Sequence, residues 1–153
     1  MKKLPILSIF LVLLFAISCQ QSKKIPAATN NSEVLYQWQW NLVEIMGNKV
    51  IVTSAQPYLV FTPGQVNSVG GTTGCNRLTG TFELPTPGEI KFSPLATTRM
   101  ACAGTNVEPQ FLEALQRVKT WSIIEKELTL TDGQVALAKF TAVKAAASSG
   151  PTN

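Results

Sequence analysis

Apolar and polar residues alternate along most of the chain in short runs separated by turn residues, the pattern of half-buried β-strands. The first run alternates Trp38, Trp40 and Leu42 with polar neighbours, so one aromatic face is expected to point inward. The further candidate strands are bounded by Gly, Pro, Asn or Asp and cover 49–53, 58–61, 65–70, 77–84, 90–92, 121–125, 128–131 and 135–140. The pattern predicts a sheet of mostly short antiparallel strands.

One segment follows a helical period instead. Its apolar residues recur at i, i+1, i+4 and i+7 and form one stripe: Phe111, Leu112, Leu115 and Val118. The flanking residues suit the cap, the first turn and the last turn of a helix: Asn106, Glu108, Pro109 and Lys119. A single helix among antiparallel strands predicts an α+β fold, a small barrel-like antiparallel β-sheet packed against one α-helix.

The N-terminus has the features of an export signal. Lys2 and Lys3 precede an apolar stretch from Leu4 to Ile17, which is shorter than the roughly 20 residues that a membrane-spanning helix needs. A charged start, a short apolar core and small residues after it predict a signal peptide over residues 1–18.

The end of this signal resembles the lipobox of bacterial lipoproteins. The residues concerned are Ala16, Ile17, Ser18 and Cys19, and in that class the cysteine becomes the acylated N-terminus. Ordinary cleavage after Ser18 is the alternative. Acylation of Cys19 leaves two cysteines that can pair, whereas ordinary cleavage leaves an unpaired thiol in an oxidising compartment. We therefore predict lipidation at Cys19.

The rest of the chain divides into three parts. Residues 19–35 are predicted to form a flexible tether, 36–143 the folded domain and 144–153 a disordered tail. Gln20, rather than Asp, follows the cysteine and resembles the sorting pattern for the outer membrane. We expect a location in the cell envelope, lipid-anchored to the outer membrane and facing the periplasm.

The charges argue against nucleic acid as a partner. The formal net charge of the 153 residues is +4, but Lys2 and Lys3 belong to the signal peptide. Between Glu33 and Val143, 8 basic and 9 acidic residues give −1. A domain without a net basic charge has no surface for neutralising phosphates by composition.

Enzymatic groups are scarce in the sequence. There is no histidine, the commonest general base and metal ligand. The carboxylates show no paired spacing that would suit acid–base catalysis. The sequence predicts no catalytic residues, no metal site, no cofactor and no enzymatic activity.

Two local motifs carry most of the family information. Gly74-Cys75-Asn76 lies in a glycine-rich stretch, and Thr98-Arg99-Met100-Ala101-Cys102 follows later. With Trp40-Asn41-Leu42, the Glu108–Leu115 helix and Leu128-Thr129-Leu130, they resemble the META domain of the heat-shock-protein HslJ-like lipoprotein family. The resemblance covers about 105 residues and implies a compact β-rich fold on one helix, an envelope location, a link to stress or drug tolerance, and no cofactor.

Cys75 and Cys102 have two interpretations. A disulfide closing a loop of about 28 residues would stabilise the fold by about 3.5 kcal/mol. A reactive thiol would need a nearby base, and histidine is absent. The disulfide is therefore predicted.

Three residues are candidates for binding. Arg99 beside two threonines suits an anion or carboxylate, or pairs internally with a carbonyl or glutamate. Asn76 suits a ligand contact or a turn, and Trp38 suits an amphipathic molecule or the core.

The predicted function is a non-enzymatic lipoprotein that binds an envelope protein or an amphipathic small molecule and is attached to the membrane through its N-terminal lipid. A pilot-like lipid- or protein-binding partner of secretion machinery is the alternative. A purely structural envelope protein and, less favoured, a hydrolytic or redox enzyme remain open at the level of sequence.

Overall fold

The computed structural model describes residues 27–52, 55–102 and 107–144. Within these ranges lie two helices, α1 (Ser32–Tyr36) and α2 (Glu108–Arg117). The strands are β1 (Gln39–Ile45), β2 (Asn48–Lys49), β3 (Tyr58–Thr62), β4 (Asn67–Thr72), β5 (Arg77–Glu83), β6 (Lys91–Phe92), β7 (Ala96–Thr97), β8 (Thr120–Ile124), β9 (Glu127–Thr131) and β10 (Ala136–Val143). The predicted signal peptide, Cys19, Asn106 and nearly all of the predicted tail lie outside the described residues.

All strand pairs within the described ranges are antiparallel and belong to one sheet. The order is β6-β5-β4-β3-β1-β10-β9-β8, with β2 added to β1 and β7 added to β5. Most neighbours are connected by short turns, as the alternating sequence pattern predicts. β1, the first strand in the chain, lies between β3 and β10, so one of its neighbours is the last strand of the domain.

Two short segments cover the free edge of β8 and nearly close the sheet into a barrel. The N–H of Ile90 donates to the carbonyl of Lys119 at 3.0 Å, and the N–H of Trp121 donates to the carbonyl of Gly88 at 2.8 Å. Thr29 forms an antiparallel bridge with Ile123 farther along the same edge. These bonds satisfy backbone groups that an open edge strand would leave exposed.

The core consists of the inward-facing residues of every long strand. Trp40, Phe61 and Phe140 are almost fully buried, as the alternation predicts. Phe61 meets Phe82 edge to face with ring centroids 5.1 Å apart, a favoured aromatic geometry.

Helix α2 confirms the predicted apolar stripe. Phe111, Ala114 and Leu115 are buried, and the helix packs on β10 and β1, with Phe111 6.0 Å from Phe140 between ring centroids. The predicted α+β fold, a barrel-like antiparallel sheet with a packed helix, is confirmed.

Helix α1 is an addition to the prediction, which assigns residues 19–35 to a tether. Residues 27–35 instead belong to the fold. Asn31 caps α1 by accepting from the N–H of Glu33, and Leu35 is fully buried. The indole N–H of Trp40 donates to the carbonyl of Leu35 at 2.8 Å, so α1 is held by the core rather than by its own length.

The remaining differences concern short strands. The predicted strand 49–53 pairs with β1 only over Asn48–Lys49, and β7 at Ala96–Thr97 is not predicted. No helix within the described parts of the chain is long and apolar enough to cross a membrane.

Candidate binding surface

Two loops that carry the sequence motifs meet at one end of the barrel. The first connects β4 to β5 and contains Thr73 and Asn76, and the second follows β7 and contains Thr98 and Met100. We call the hydrogen bonds between these four residues the Asn76 network. Although 22 residues separate Asn76 from Thr98, their side chains are in direct contact.

Asn76 is the centre of this network and is only 3% exposed. Its side-chain oxygen accepts from the Thr98 hydroxyl at 2.9 Å and from the N–H of Met100 at 2.7 Å. Its side-chain nitrogen donates to the sulfur of Cys102 at 3.6 Å. The polar groups of Asn76 are thus engaged within the protein, and the residue holds the second loop in place.

Threonine hydroxyls complete the connection. Thr98 also accepts from the backbone N–H of Arg77 at 3.1 Å. Thr73, which is 1% exposed, accepts from the N–H of Asn76 and donates to a carboxylate oxygen of Glu108 in the first turn of α2. The network therefore joins both loops to the beginning of the helix.

A covalent bond reinforces the same junction. Cys75 and Cys102 form a disulfide with their Cα atoms 5.9 Å apart. The bond links residues 27 positions apart in the sequence. It agrees with the predicted pairing and leaves neither sulfur as a thiol nucleophile in this structure.

Arg99 and Met100 point away from this junction into solvent. Met100 is 60% exposed although it is apolar, and Arg99 is also exposed. Within the described ranges, the Arg99 guanidinium makes no hydrogen bond or ion pair with the protein. A groove of about 480 Å³ lies beside them and is lined by Gly71, Arg77, Leu78, Thr79, Ala96, Thr97 and Thr98. We call Arg77, Arg99, Met100 and this groove the Arg99 surface.

Trp38 lies elsewhere. It precedes β1, is half-buried against the core, and its ring has the ammonium of Lys126 5.5 Å from its centroid. The fold therefore brings Asn76 and Arg99 together and leaves Trp38 apart, near the turn between β8 and β9.

The sequence did not single out Thr73 and Thr98 as network residues. Thr73 directly precedes the Gly74-Cys75-Asn76 motif, and Thr98 is the first residue of the Thr98–Cys102 motif. In 27–52, 55–102 and 107–144, no cluster of three or more His, Cys, Asp or Glu residues is arranged to hold a metal ion.

The comparisons with known proteins agree with this architecture. The META domain family matches residues 33–144. One protein solved by NMR is 24% identical, covers 72% of this chain and 92% of its own, and superposes with a TM-score of 0.57. An NMR structure of a protein from Burkholderia xenovorans is 23% identical, covers 73% of this chain and 86% of its own, with a TM-score of 0.58. No curated protein matches the chain.

Proposed function

The chain belongs to the META domain family, and on that premise we propose that it is a non-enzymatic envelope lipoprotein, anchored through Cys19, whose Arg99 surface binds another envelope component. The partner chemistry is an acidic or carboxylate-bearing group next to an apolar one. This choice follows from the two exposed guanidiniums, which suit carboxylates, and from the exposed thioether of Met100.

One observation supports this proposal most directly. The loop that carries Arg99 is fixed by the disulfide and by the Asn76 network, yet the side chains of Arg99 and Met100 are exposed and make no hydrogen bond or ion pair with the described part of the chain. A fold that fixes a loop so strongly loses little entropy when that loop binds a partner. Buried polar bonds thus make a rigid support for exposed recognition residues.

The link to stress or drug tolerance comes from the family resemblance and is part of the proposal. On this view the protein acts by binding a partner in the envelope rather than by catalysing a reaction. The groove beside Arg77 and the threonines is open to solvent and is lined by both polar and apolar residues, which suits a peptide segment better than an enclosed small molecule.

Site-specific photocrosslinking in cells tests the surface. A photoreactive residue at Met100 is expected to give a discrete protein adduct, and Arg99→Glu in the same chain is expected to remove it by charge reversal. The control position is Val135, which is 55% exposed in the turn between β9 and β10. Equal adducts from both positions, or an Arg99→Glu adduct of unchanged yield, would contradict the proposal.

The anchor has its own test. Mass spectrometry of the protein purified from membranes is expected to find an N-terminal peptide that begins at acylated Cys19. Cys19→Ala is expected to move the protein out of the membrane fraction. An unacylated mature N-terminus would overturn the lipoprotein assignment without bearing on the Arg99 surface.

A further inference from the structure

The described chain begins at a defined end of the barrel. Thr29 and Ile123 exchange both backbone hydrogen bonds, at 2.7 and 2.9 Å, as an antiparallel pair. Since residues 27–29 run opposite to β8, Ala27 lies toward the Glu125–Lys126 turn, where β8 ends. Strand β10 ends at the same place, because Val143 pairs with Gln39 at the beginning of β1.

This end of the barrel exposes apolar side chains. Ile124 is 44% exposed and Val143 is 39% exposed. Val66 is 69% exposed in the β3–β4 turn, which the pairing of Gln39 with Val60 places at the same end. Half-buried Trp38 precedes β1 between them. We call Trp38, Val66, Ile124 and Val143 the Trp38 face.

The length of chain before Ala27 limits which end can reach a membrane. Seven residues, 20–26, lie between the anchor Cys19 and Ala27, which makes eight Cα–Cα steps. Such a segment reaches about 28 Å when fully extended and about 16 Å as a relaxed coil. The eight residues of β10 span about 26 Å. Presenting the opposite end to the membrane would require the segment to pass the whole barrel at nearly full extension.

The residues of this face suit a lipid headgroup region. A tryptophan ring has an apolar body and a polar N–H and is favoured at membrane interfaces. Lys126 extends over Trp38, and Lys144 follows Val143, so both stems can lie on apolar surface while the ammonium groups meet phosphates. Glu125 and Glu127 offset these charges, so apolar contact rather than net charge must supply the attraction.

We propose that the Trp38 face rests on the lipid surface to which the chain is anchored, which orients the Arg99 surface away from the membrane. This inference rests on the proposed anchor at Cys19. The lipid anchor supplies the attachment, and the four apolar residues fix the orientation by shallow insertion between headgroups. The opposite end of β4, where the Asn76 network lies, is then presented to partners.

Tryptophan fluorescence on vesicles tests this orientation. The protein used is the chain from Cys19 onward, which retains every described element. Because Cys75 and Cys102 are joined in a disulfide, a maleimide lipid reacts with the thiol of Cys19. The vesicles contain phosphatidylethanolamine and phosphatidylglycerol brominated on their acyl chains. Trp40 and Trp121 are 0% and 3% exposed, so Trp38 is the residue expected to report contact with lipid.

The expected result is a blue shift and quenching of the wild-type emission, with the quenching lost in Trp38→Phe. Val143→Glu is expected to lose the quenching as well. Its matched control, Val135→Glu, places the same change at the opposite end of β10 at a position that is 55% exposed, and is expected to retain the quenching.

Three outcomes would overturn the orientation: unquenched wild-type emission, quenching that persists in Trp38→Phe, or equal loss in Val143→Glu and Val135→Glu. Chemical coupling makes this result independent of processing in the cell. An unacylated Cys19 in cells therefore refutes the anchor alone, and failed quenching on coupled vesicles refutes the orientation alone.

Discussion

The side-chain oxygen of Asn76 lies 2.7 Å from the backbone nitrogen of Met100, and this contact fixes the loop that carries the exposed Arg99. Removing the Asn76 amide takes away the protein partner of the N–H of Met100 and of the hydroxyl of Thr98. The geometry of the Arg99 loop thus depends on a buried residue, Asn76.

Asn76→Ala is accordingly expected to lower the free energy of unfolding by about 3 kcal/mol, since it removes the three partly buried hydrogen bonds of the Asn76 amide at once. Chemical denaturation measures the change. Asn67→Ala is the control, because Asn67 accepts one bond of 3.3 Å in an exposed turn and should cost less than about 1 kcal/mol. Equal losses in the two variants would show that the network contributes nothing beyond an ordinary turn.

Reduction of the disulfide is expected to destabilise the wild-type protein by about 3.5 kcal/mol, because the reduced unfolded chain regains the entropy of a loop whose ends are 27 positions apart. Denaturation curves with and without reductant measure the difference. The double variant Cys75→Ser/Cys102→Ser should match the reduced wild type and show no response to reductant. A wild-type curve that reductant leaves unchanged would contradict the stabilising role.

Gly71→Ala is expected to disrupt the pairing of β3 with β4. A Cβ at this position would lie 2.0 Å from the backbone carbonyl oxygen of Tyr58, which cannot move without breaking the strand pair. We expect a loss of about 3 kcal/mol or more in the free energy of unfolding.

The neighbouring glycine supplies the matched control. A Cβ at Gly70 meets nothing closer than 3.9 Å, so Gly70→Ala should be tolerated with a change within about 1 kcal/mol. Thermal unfolding of both variants measures the contrast. If Gly71→Ala were as stable as Gly70→Ala, that result would contradict the close packing of Gly71 against the backbone of Tyr58.

Asp132 is expected to stabilise the folded protein at neutral pH and to lose this stabilising effect in acid. The backbone N–H groups of Val135 and Gln134 donate to its carboxylate, each at 3.0 Å, and hold the pKa of Asp132 below its ordinary value of 3.8. Since the folded pKa is lower than the unfolded one, the stabilisation is complete above pH 3.8 and is lost as the pH falls through the folded pKa.

Thermal unfolding from about pH 6 to about pH 2 measures this dependence. Asp132→Asn should be less stable than the wild type at the upper end, with the difference shrinking in acid. If the unfolding temperatures of the wild type and Asp132→Asn differ by the same amount at every pH, the Asp132 carboxylate contributes no pH-dependent stability.

The long elements of the fold are predictable from the sequence because their signals are local. The stripe of Phe111 and Leu115 marks α2, and alternation marks the long strands. Helix α1 is not predicted from the sequence, because five residues with one fully buried side chain show no helical periodicity. It is held in place by a hydrogen bond from the indole of Trp40. Strand β7 is equally short and exists only because β5 lies beside it.

The residues of the candidate surface also differ in how far the sequence alone predicts their roles. The Cys75–Cys102 pairing follows from the number of cysteines, and Arg99 is noticeable for its place in a motif. The role of Asn76 is different, since its partners Thr98 and Met100 are more than 20 residues away and are brought close only by the pairing of β5 with β7.

The sequence by itself determined the sheet-forming alternation, the amphipathic helix, the cysteine pair and the near-neutral charge of the domain, because each depends on residue type and spacing along the chain. Only the tertiary structure decided that Thr29 closes the edge of β8, that Asn76 holds the Arg99 loop, and that Trp38 lies at the end where the chain enters. These relationships join residues distant in sequence, and their geometry is set by how the strands close into a barrel.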